Sequence, residues 1–501
     1  MQTFRDERMW RHKLGGILAA LLSLSTAGIC GAQEAPPSPA ARPPARSLTL
    51  TIPGPSLDDR FAEAALRGKI ARFGALYPEV TIVIGPTVPT LDAFFVMHAA
   101  GSAPDIVTLP GPQIATLARG GYLADLTPLI DNWPLFGAIH PLLWEWPEWQ
   151  GHIYAVPVEA TTQGLLFDRR RFRERGLPAP PDNGPGPIST WADLANAAVR
   201  LTDKPSGRFG IGIPAGSTAP PKSGFAPGGS LMIAWIWQAG GPGPLPGNSG
   251  WREWLTASAS QPAFEYWHDR RWFDDVIYPN VAASPERLAS LLASGRIALL
   301  PGTPELVGTI LAQDAAEAPD IGLQLLPAGP GGRASRLVAS YAGVLSPPRD
   351  PDLLRAAFRW IAFDFEGSEI QARALLALAF DRPIGLPGQL LFKDEYQQQV
   401  DQWLEPYRNA PAYPYFRRHA SEIARTEPLE GAPDLLERLG SALFSILTDP
   451  FADVRLAARR AGTEAAGNPP DGVPPGGDVA EAEVAEASLG PPQGADVFTQ
   501  P

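Results

Sequence analysis

Residues 132–172 read NWPLFGAIHPLLWEWPEWQGHIYAVPVEATTQGLLFDRRRF, and this stretch decides the fold. It opens with Trp133, Trp144, Trp146 and Trp149, four of the fourteen tryptophans in the chain. A proline-interrupted apolar strand follows, YAVPV, then four polar residues, a second apolar strand, and a basic helix start. Glu159, Thr161, Thr162 and Gln163 sit between the two strands. Buried polar side chains without partners are costly, so their placement suits a ligand-lined crossing between two lobes. A solvated turn is the alternative for the same residues. The tryptophans before the crossing suit one wall of a cleft, since flat aromatics and a few fixed polar groups make a small-molecule site.

On either side of this stretch, strands alternate with helices. Residues 47–54, SLTLTIPG, form an alternating first strand. Phe61, Ala65, Leu66, Ile70, Phe73 and Tyr77 recur at helical spacing, and Pro78 stops that helix. EVTIVIG is the next strand, so the chain opens strand–helix–strand, which implies a parallel pair. DIVTLPG is a buried strand, and Gly120-Gly121 ends the helix after it. Thr190, Ser284, Thr303-Pro304-Glu305 and Asp350-Pro351 each begin a helix. Gly295 ends the one started by Ser284, and RIALLPG follows as a strand. The expected class is therefore α/β.

Composition bounds the function. The 501 residues are 45% hydrophobic and 19% charged, enough for more than one domain. Arg5, Arg8, Arg11 and Lys13 precede the apolar run LGGILAALLSLSTAGI, and small residues end at Ala32, as in a cleaved export signal. Cys30 offers a lipoprotein anchor as the rival, but Ile29 stands where such signals want a small residue. Loss of residues 1–32 removes four basic and two acidic side chains and moves net charge from −12 to −14. That balance argues against nucleic acid. It also removes the one cysteine, so disulfides are not expected. Residues 33–46 read as a disordered linker, and 463–501, with seven acids and no base, as a disordered acidic tail.

Several runs resemble a known family. GSAPDIVTLP with GGYLADLTPLI, IYAVPVEATTQGLLFDRRRFRERGL, TWADLANAAVRLTDKPSGRFGIGIP, ASGRIALLPGTPELVG and DPDLLRAAFRWIAFDFEGSEIQ occur in the order found in extracellular solute-binding proteins of ABC importers, carbohydrate-binding group. The resemblance implies a two-lobed periplasmic binding protein fold with a hinge and an interlobe cleft. The expected division is 47–157 plus 326–349 for one lobe and 158–325 plus 350–462 for the other. It implies a periplasmic protein, monomeric, without cofactor or metal. Such a protein binds a sugar, oligosaccharide or polyol and delivers it to a membrane permease. Ligand contacts are expected from Trp144, Glu159, Thr161, Thr162, Gln163, Trp235, Trp237, Gly302, Thr303 and Tyr341. Trp144 with Trp146, and Trp235 with Trp237, are two apart, so each pair faces one way if extended. The family usually has an aromatic shortly after the Gly302 position; here Pro304-Glu305 stands instead. The SYAG run at 340–343 resembles a family turn facing the cleft.

Rival readings remain. Glu145, Glu148 or Glu159 could serve a secreted carbohydrate-active enzyme. A sensor subunit presenting ligand to a receptor would share the fold. GSTAPPKS carries Pro221 where a phosphate loop needs glycine, GIGIPA is only a partial dinucleotide fingerprint, and there is no GxSxG or HExxH.

Overall fold

The structure is a computed structural model, and it describes residues 47–55, 59–216, 226–241, 260–313, 320–348, 350–384, 392–411, 413–426 and 432–463. The expected export signal, Cys30, the 33–46 linker and the tail beyond Thr463 lie outside the described residues.

The strands are β1 (Leu48–Ile52), β2 (Val80–Ile84), β3 (Ile106–Pro110), β4 (Glu148–Trp149), β5 (His152–Ile153), β6 (Ala155–Thr162), β7 (Gly164–Asp168), β8 (Phe209–Ile211), β9 (Ile297–Gly302), β10 (Ile321–Leu325), β11 (Ser335–Val344) and β12 (Ala424–Arg425). β1 and β2 pair in parallel around the helix Arg60–Leu76, as the opening pattern requires. Asp105 ties this pair to β3: its amide donates to Thr51 O, and its carboxylate accepts from Thr51 N at 2.7 Å. β11 is the spine of the first lobe. It runs antiparallel to both β3 and β6, and its first residues pair with β12.

The second lobe is built on the sheet β10-β7-β9-β8, every strand of which is almost wholly buried. A sheet covered on both faces needs continuous apolar strands rather than alternating ones, and RIALLPG and GLLFD have that composition. Leu166, Ile297 and Leu300 pack on one face with Leu288, Leu292, Val307 and Ile310 from the helices Pro285–Ala293 and Glu305–Gln313. Leu165, Phe167 and Leu299 pack on the other with Leu194, Trp235, Phe264 and Leu439. The helix Pro227–Gln238 is buried along its whole length. It lies so close to the helix Ala432–Thr448 that a Cβ at Gly229 would collide with the backbone of Leu436.

Helix starts follow their local chemistry. Thr190 and Asp193 form a reciprocal capping box, Ser284 caps through its hydroxyl to Arg287 N, and Asp350 accepts from Asp352 N. Gly295, just past its helix, takes φ +71°, a conformation that favours glycine.

The boundary expected at residue 350 is displaced. The helices Pro351–Ala362 and Gly367–Ala379 pack on the first lobe, not the second. Phe73 meets Trp360 and Phe363 edge-on at 5.2 and 5.6 Å. Lys69 Nζ pairs with Asp364, and Arg72 forks onto the fully buried Glu369 at 2.7 and 2.8 Å. The chain returns to the second lobe later: Tyr413 OH donates to Ile321 O at 2.7 Å, and the helix Ala432–Thr448 joins the second core. Apolar periodicity alone cannot say which of two lobes a helix covers, so this return was not readable beforehand.

Candidate functional site

The candidate site begins where β6 becomes β7. Along β6 the exposed Glu159 and half-buried Thr161, followed by buried Gln163, share one side by alternation. Thr162 faces the other way. Its hydroxyl donates to Ser335 Oγ at 2.7 Å and lies 2.9 Å from Arg336 O, and Ser335 Oγ donates to Gln163 O. Thr162 therefore clamps the crossing to β11 instead of lining the cleft. Next to the clamp, the buried guanidinium of Arg336 reaches Ser230 Oγ at 3.1 Å.

The second wall is fixed by register. β7 and β9 run antiparallel with Gly164 opposite Gly302. Continued by one residue, that register sets Gln163 opposite Thr303. The helix Glu305–Gln313 starts immediately afterwards, as its Thr-Pro-Glu start requires. Thr303 and the Glu305 amide lie near enough to the Glu305 carboxylate to hold its pKa down. The Thr161 hydroxyl also lies against this carboxyl, without reaching full hydrogen-bond geometry.

Glu305 is exposed to solvent, yet enough protein lies around it that desolvation raises its pKa above the ordinary glutamate value. Thr303 opposes the shift, and the negative charge of Glu159 adds to it. Buried atoms without hydrogen-bond partners gather at the same crossing: Gln163 Oε1 and Thr161 Oγ1. In the first lobe, Glu159 and Pro110 both stand opposite Ser340, on either side of β11. Pro110 leads into the helix Gly111–Arg119, against whose first residue the Trp146 ring packs. Trp146 also meets Tyr341 edge-on at 6.0 Å, and its indole Nε1 has no hydrogen-bond partner.

The sequence-derived candidates thus separate. Glu159, Thr161 and Thr303 all act on the Glu305 carboxylate, and Gln163 and Gly302 flank the same crossing. Tyr341 lies fully buried within β11, so the SYAG run is strand, not turn. Trp144 sits at the end of a 3-10 turn, edge-on to Phe136 at 5.1 Å and 8% exposed. Trp133 packs on Phe358 and Phe365, and Trp149 lies under Arg119.

Trp235 and Trp237 are corrected outright. They lie on a helix, where residues two apart point roughly 200° from each other, so they do not form one face. Trp235 stacks near Trp191 at 6.1 Å and Trp267 at 4.8 Å, and both residues are buried in the second lobe's core. Glu305 was legible only as a departure from the family pattern, and Gln113, with its unpartnered Oε1 in the first turn of the helix after β3, gave no signal. Among the described residues no cluster of three metal-ligating side chains occurs, and no helix is long and apolar enough to cross a membrane.

The crossing from β6 to β7 and the turn after β9 bring polar residues of the two sheets to one candidate interlobe site. A family model described as bacterial extracellular solute-binding protein matches residues 59–364. The chain belongs to this family. Solved solute-binding proteins share the two-lobed fold. The GacH receptor of Streptomyces glaucescens, solved unliganded and with acarbose, is 18% identical with TM-score 0.62, covering 83% of this chain and 97% of its own. Maltose-bound MalE3 of T. maritima is likewise 18% identical with TM-score 0.62, covering 83% and 98%. A ribitol complex of a solute-binding protein from Agrobacterium radiobacter K84 gives 18% and 0.61, covering 84% and 98%. Among curated proteins, an "Uncharacterized lipoprotein in oleD 5′ region" of Streptomyces antibioticus is 28% identical over 153 residues, 30% of this chain and 33% of that protein. The chain therefore matches about a third of that relative's length.

Proposed function

We propose that this solute-binding protein captures a sugar, oligosaccharide or polyol between its lobes and delivers it to an ABC permease without chemical change. The Gly164–Gly302 register carries this reading. It sets the crossing at Gln163 and the turn at Thr303 at the same end of one strand pair, and Thr161 acts on the Glu305 carboxylate there, which supports a site at this end. Hydroxyl-rich solutes use such alternating donors and acceptors. Their burial by lobe closure selects the state a permease engages. The solved relatives with acarbose, maltose and ribitol support the same solute class. Export by the residue 1–32 signal, with a free rather than Cys30-anchored product, and a monomeric state belong to the same proposal. So does a first lobe built on β1, β2, β3, β6, β11 and β12 with the helices Pro351–Ala362 and Gly367–Ala379.

The enzyme reading is weaker on geometry. Glu145 accepts from Thr426 Oγ1 at 2.7 Å, and Glu148 is exposed on the β4–β5 hairpin. Thermal unfolding across sugars, polyols, amino acids and polyamines tests the assignment, since a ligand of the folded state raises the midpoint by mass action. A carbohydrate that shifts the midpoint and is recovered intact is the expected result. Hydrolysis of that carbohydrate, or a shift with amino acids alone, overturns it.

A further inference from the structure

We propose that the return connection from β10 to β11, residues 326–334, is a rigid arm of the second lobe and that Gln238 is the positioning residue that holds it there. This goes beyond the solute-capture reading and is independent of which solute is taken. The arm reads LPAGPGGRA, and glycine-rich composition of this kind ordinarily marks a flexible linker. Here backbone bonds stitch it to the second lobe. Ala328 N donates to Ser189 O at 2.8 Å, and Trp191 N donates to Ala328 O at 2.9 Å. Gly331 N donates to Gln238 O at 2.6 Å. Gly329 and Gly332 exchange hydrogen bonds at 3.0 and 3.1 Å and close a tight turn. The glycines permit close approach rather than movement. A Cβ at Gly329 would strike Gln238 O, and one at Gly331 would strike the backbone of Gly240.

Gln238 ends the helix Pro227–Gln238 and is fully buried. Its Oε1 accepts from Trp191 Nε1 at 2.6 Å, and its Nε2 donates to Ala334 O at 2.7 Å. Trp191 is held in turn by Tyr266, whose hydroxyl donates to Trp191 O at 3.0 Å. Trp191 and Tyr266 both belong to the second core, as does the helix that ends at Gln238. One buried amide therefore fixes the far end of the arm, and releasing it would leave polar groups without partners away from water.

The next residue already belongs to the first sheet. Ser335 pairs with Ala424, and Leu337 with Thr162. On this connection, bending between the lobes is thus confined to the Ala334–Ser335 junction instead of being spread along a glycine-rich chain. An arm ordered beforehand has less conformational freedom to lose when the lobes close. Gln238 acts on closure through the arm.

Two measurements on the purified empty protein test this. In hydrogen exchange, the Ala328 and Gly331 amides are expected to be slowed at least about a hundredfold relative to free peptide, as for bonds in a folded unit. Exchange of both near the free-peptide rate overturns the rigid arm and needs no variant. Interlobe distances then come from spin labels at Val96→Cys on the helix Leu91–Ala99 and Arg287→Cys on the helix Pro285–Ala293, both exposed, in a Cys30→Ala background. Gln238→Met keeps the length of the side chain and drops both bonds. It is expected to widen the distance distribution about twofold, as for a freed linker, with unchanged far-ultraviolet circular dichroism. Gln238→Glu, which keeps the acceptor for Trp191 and lacks the donor to Ala334, carries the same expectation if the Met variant does not fold. A folded variant with the parent's distribution overturns the positioning role, since lost stability alone does not widen it. Either failure leaves the carbohydrate reading standing.

Discussion

Gly164 and Gly302 stand opposite each other on β7 and β9, at the point where the chain has just crossed between lobes. A Cβ at Gly164 would sit 2.6 Å from Phe416 Cε2 and 2.7 Å from Gln324 O, and one at Gly302 would sit 2.6 Å from Leu306 Cδ1. Within the β7–β9 ladder this is the one pair of positions where neither strand has a side chain. Gly164→Ala is therefore expected to cost about 1–3 kcal/mol through overpacking. Urea unfolding of the apoprotein measures it, and a cost near zero would show that Phe416 moves aside freely.

Glu305 gives a signed pH dependence to the empty protein. Its folded-state pKa lies above the ordinary 4.5, chiefly because protein encloses it. The unfolded chain thus releases that proton first, and stability falls as pH rises from the ordinary value through the raised one. Glu305→Gln abolishes this loss. The variant is expected to melt higher than the parent at neutral pH and to match it in acid. A variant that melts lower at neutral pH contradicts the reading.

Trp235 tests the distinction between core and cleft. Truncation to Ala should cost about 3–5 kcal/mol, as for a large buried aromatic. Trp235→Phe, which keeps a ring between Trp191 and Trp267, should retain solute affinity within error. Loss of affinity in a folded Phe variant would return Trp235 to the site.

The capping box at Thr190 offers a local check. Thr190→Ala removes the hydroxyl that accepts from Asp193 N and also donates to its carboxylate, and about 1 kcal/mol of stability with it. The Thr190 and Ser189 bonds hold the Asp193 pKa below its ordinary 3.8, against a smaller effect of burial. Their contribution is complete above that value and fades as pH falls through the depressed one. The stability gap between parent and variant should therefore shrink in strong acid.

Arg72 and Glu369 fasten the helix Gly367–Ala379 to the first lobe. Arg72→Ala leaves a fully buried carboxylate without its partner and is expected to cost about 3–5 kcal/mol in equilibrium unfolding. Glu369→Gln in the same background should recover part of that.

Local order was largely legible in the sequence, and long-range assignment less so. The strand–helix–strand opening, the caps at Thr190, Ser284 and Asp350, and the turn at Gly302-Thr303 follow from rules that act within a few residues, and the structure places them as read. The helices Pro351–Ala362 and Gly367–Ala379 pack on the first lobe rather than the expected second, because their apolar faces fit either core, whereas Ala432–Thr448 lies in the second core. Trp235 and Trp237 misled because their two-residue spacing has opposite meanings on strand and helix. Thr162 looked equivalent to Thr161, but strand alternation turns its hydroxyl to Ser335. Glu305 shows the converse. A residue at odds with its family's pattern marks a carboxyl at the start of the helix after β9 whose pKa is raised.

The single residue between β6 and β7 has a mechanical side. β6 is hydrogen-bonded to β11 and β7 to β9 and β10, so Gln163 alone spans from one sheet to the other. The Thr162–Ser335–Gln163 hydrogen bonds tie this link to the start of β11, where the return segment 326–334 arrives. The two connections are thereby fastened to each other and share one pivot.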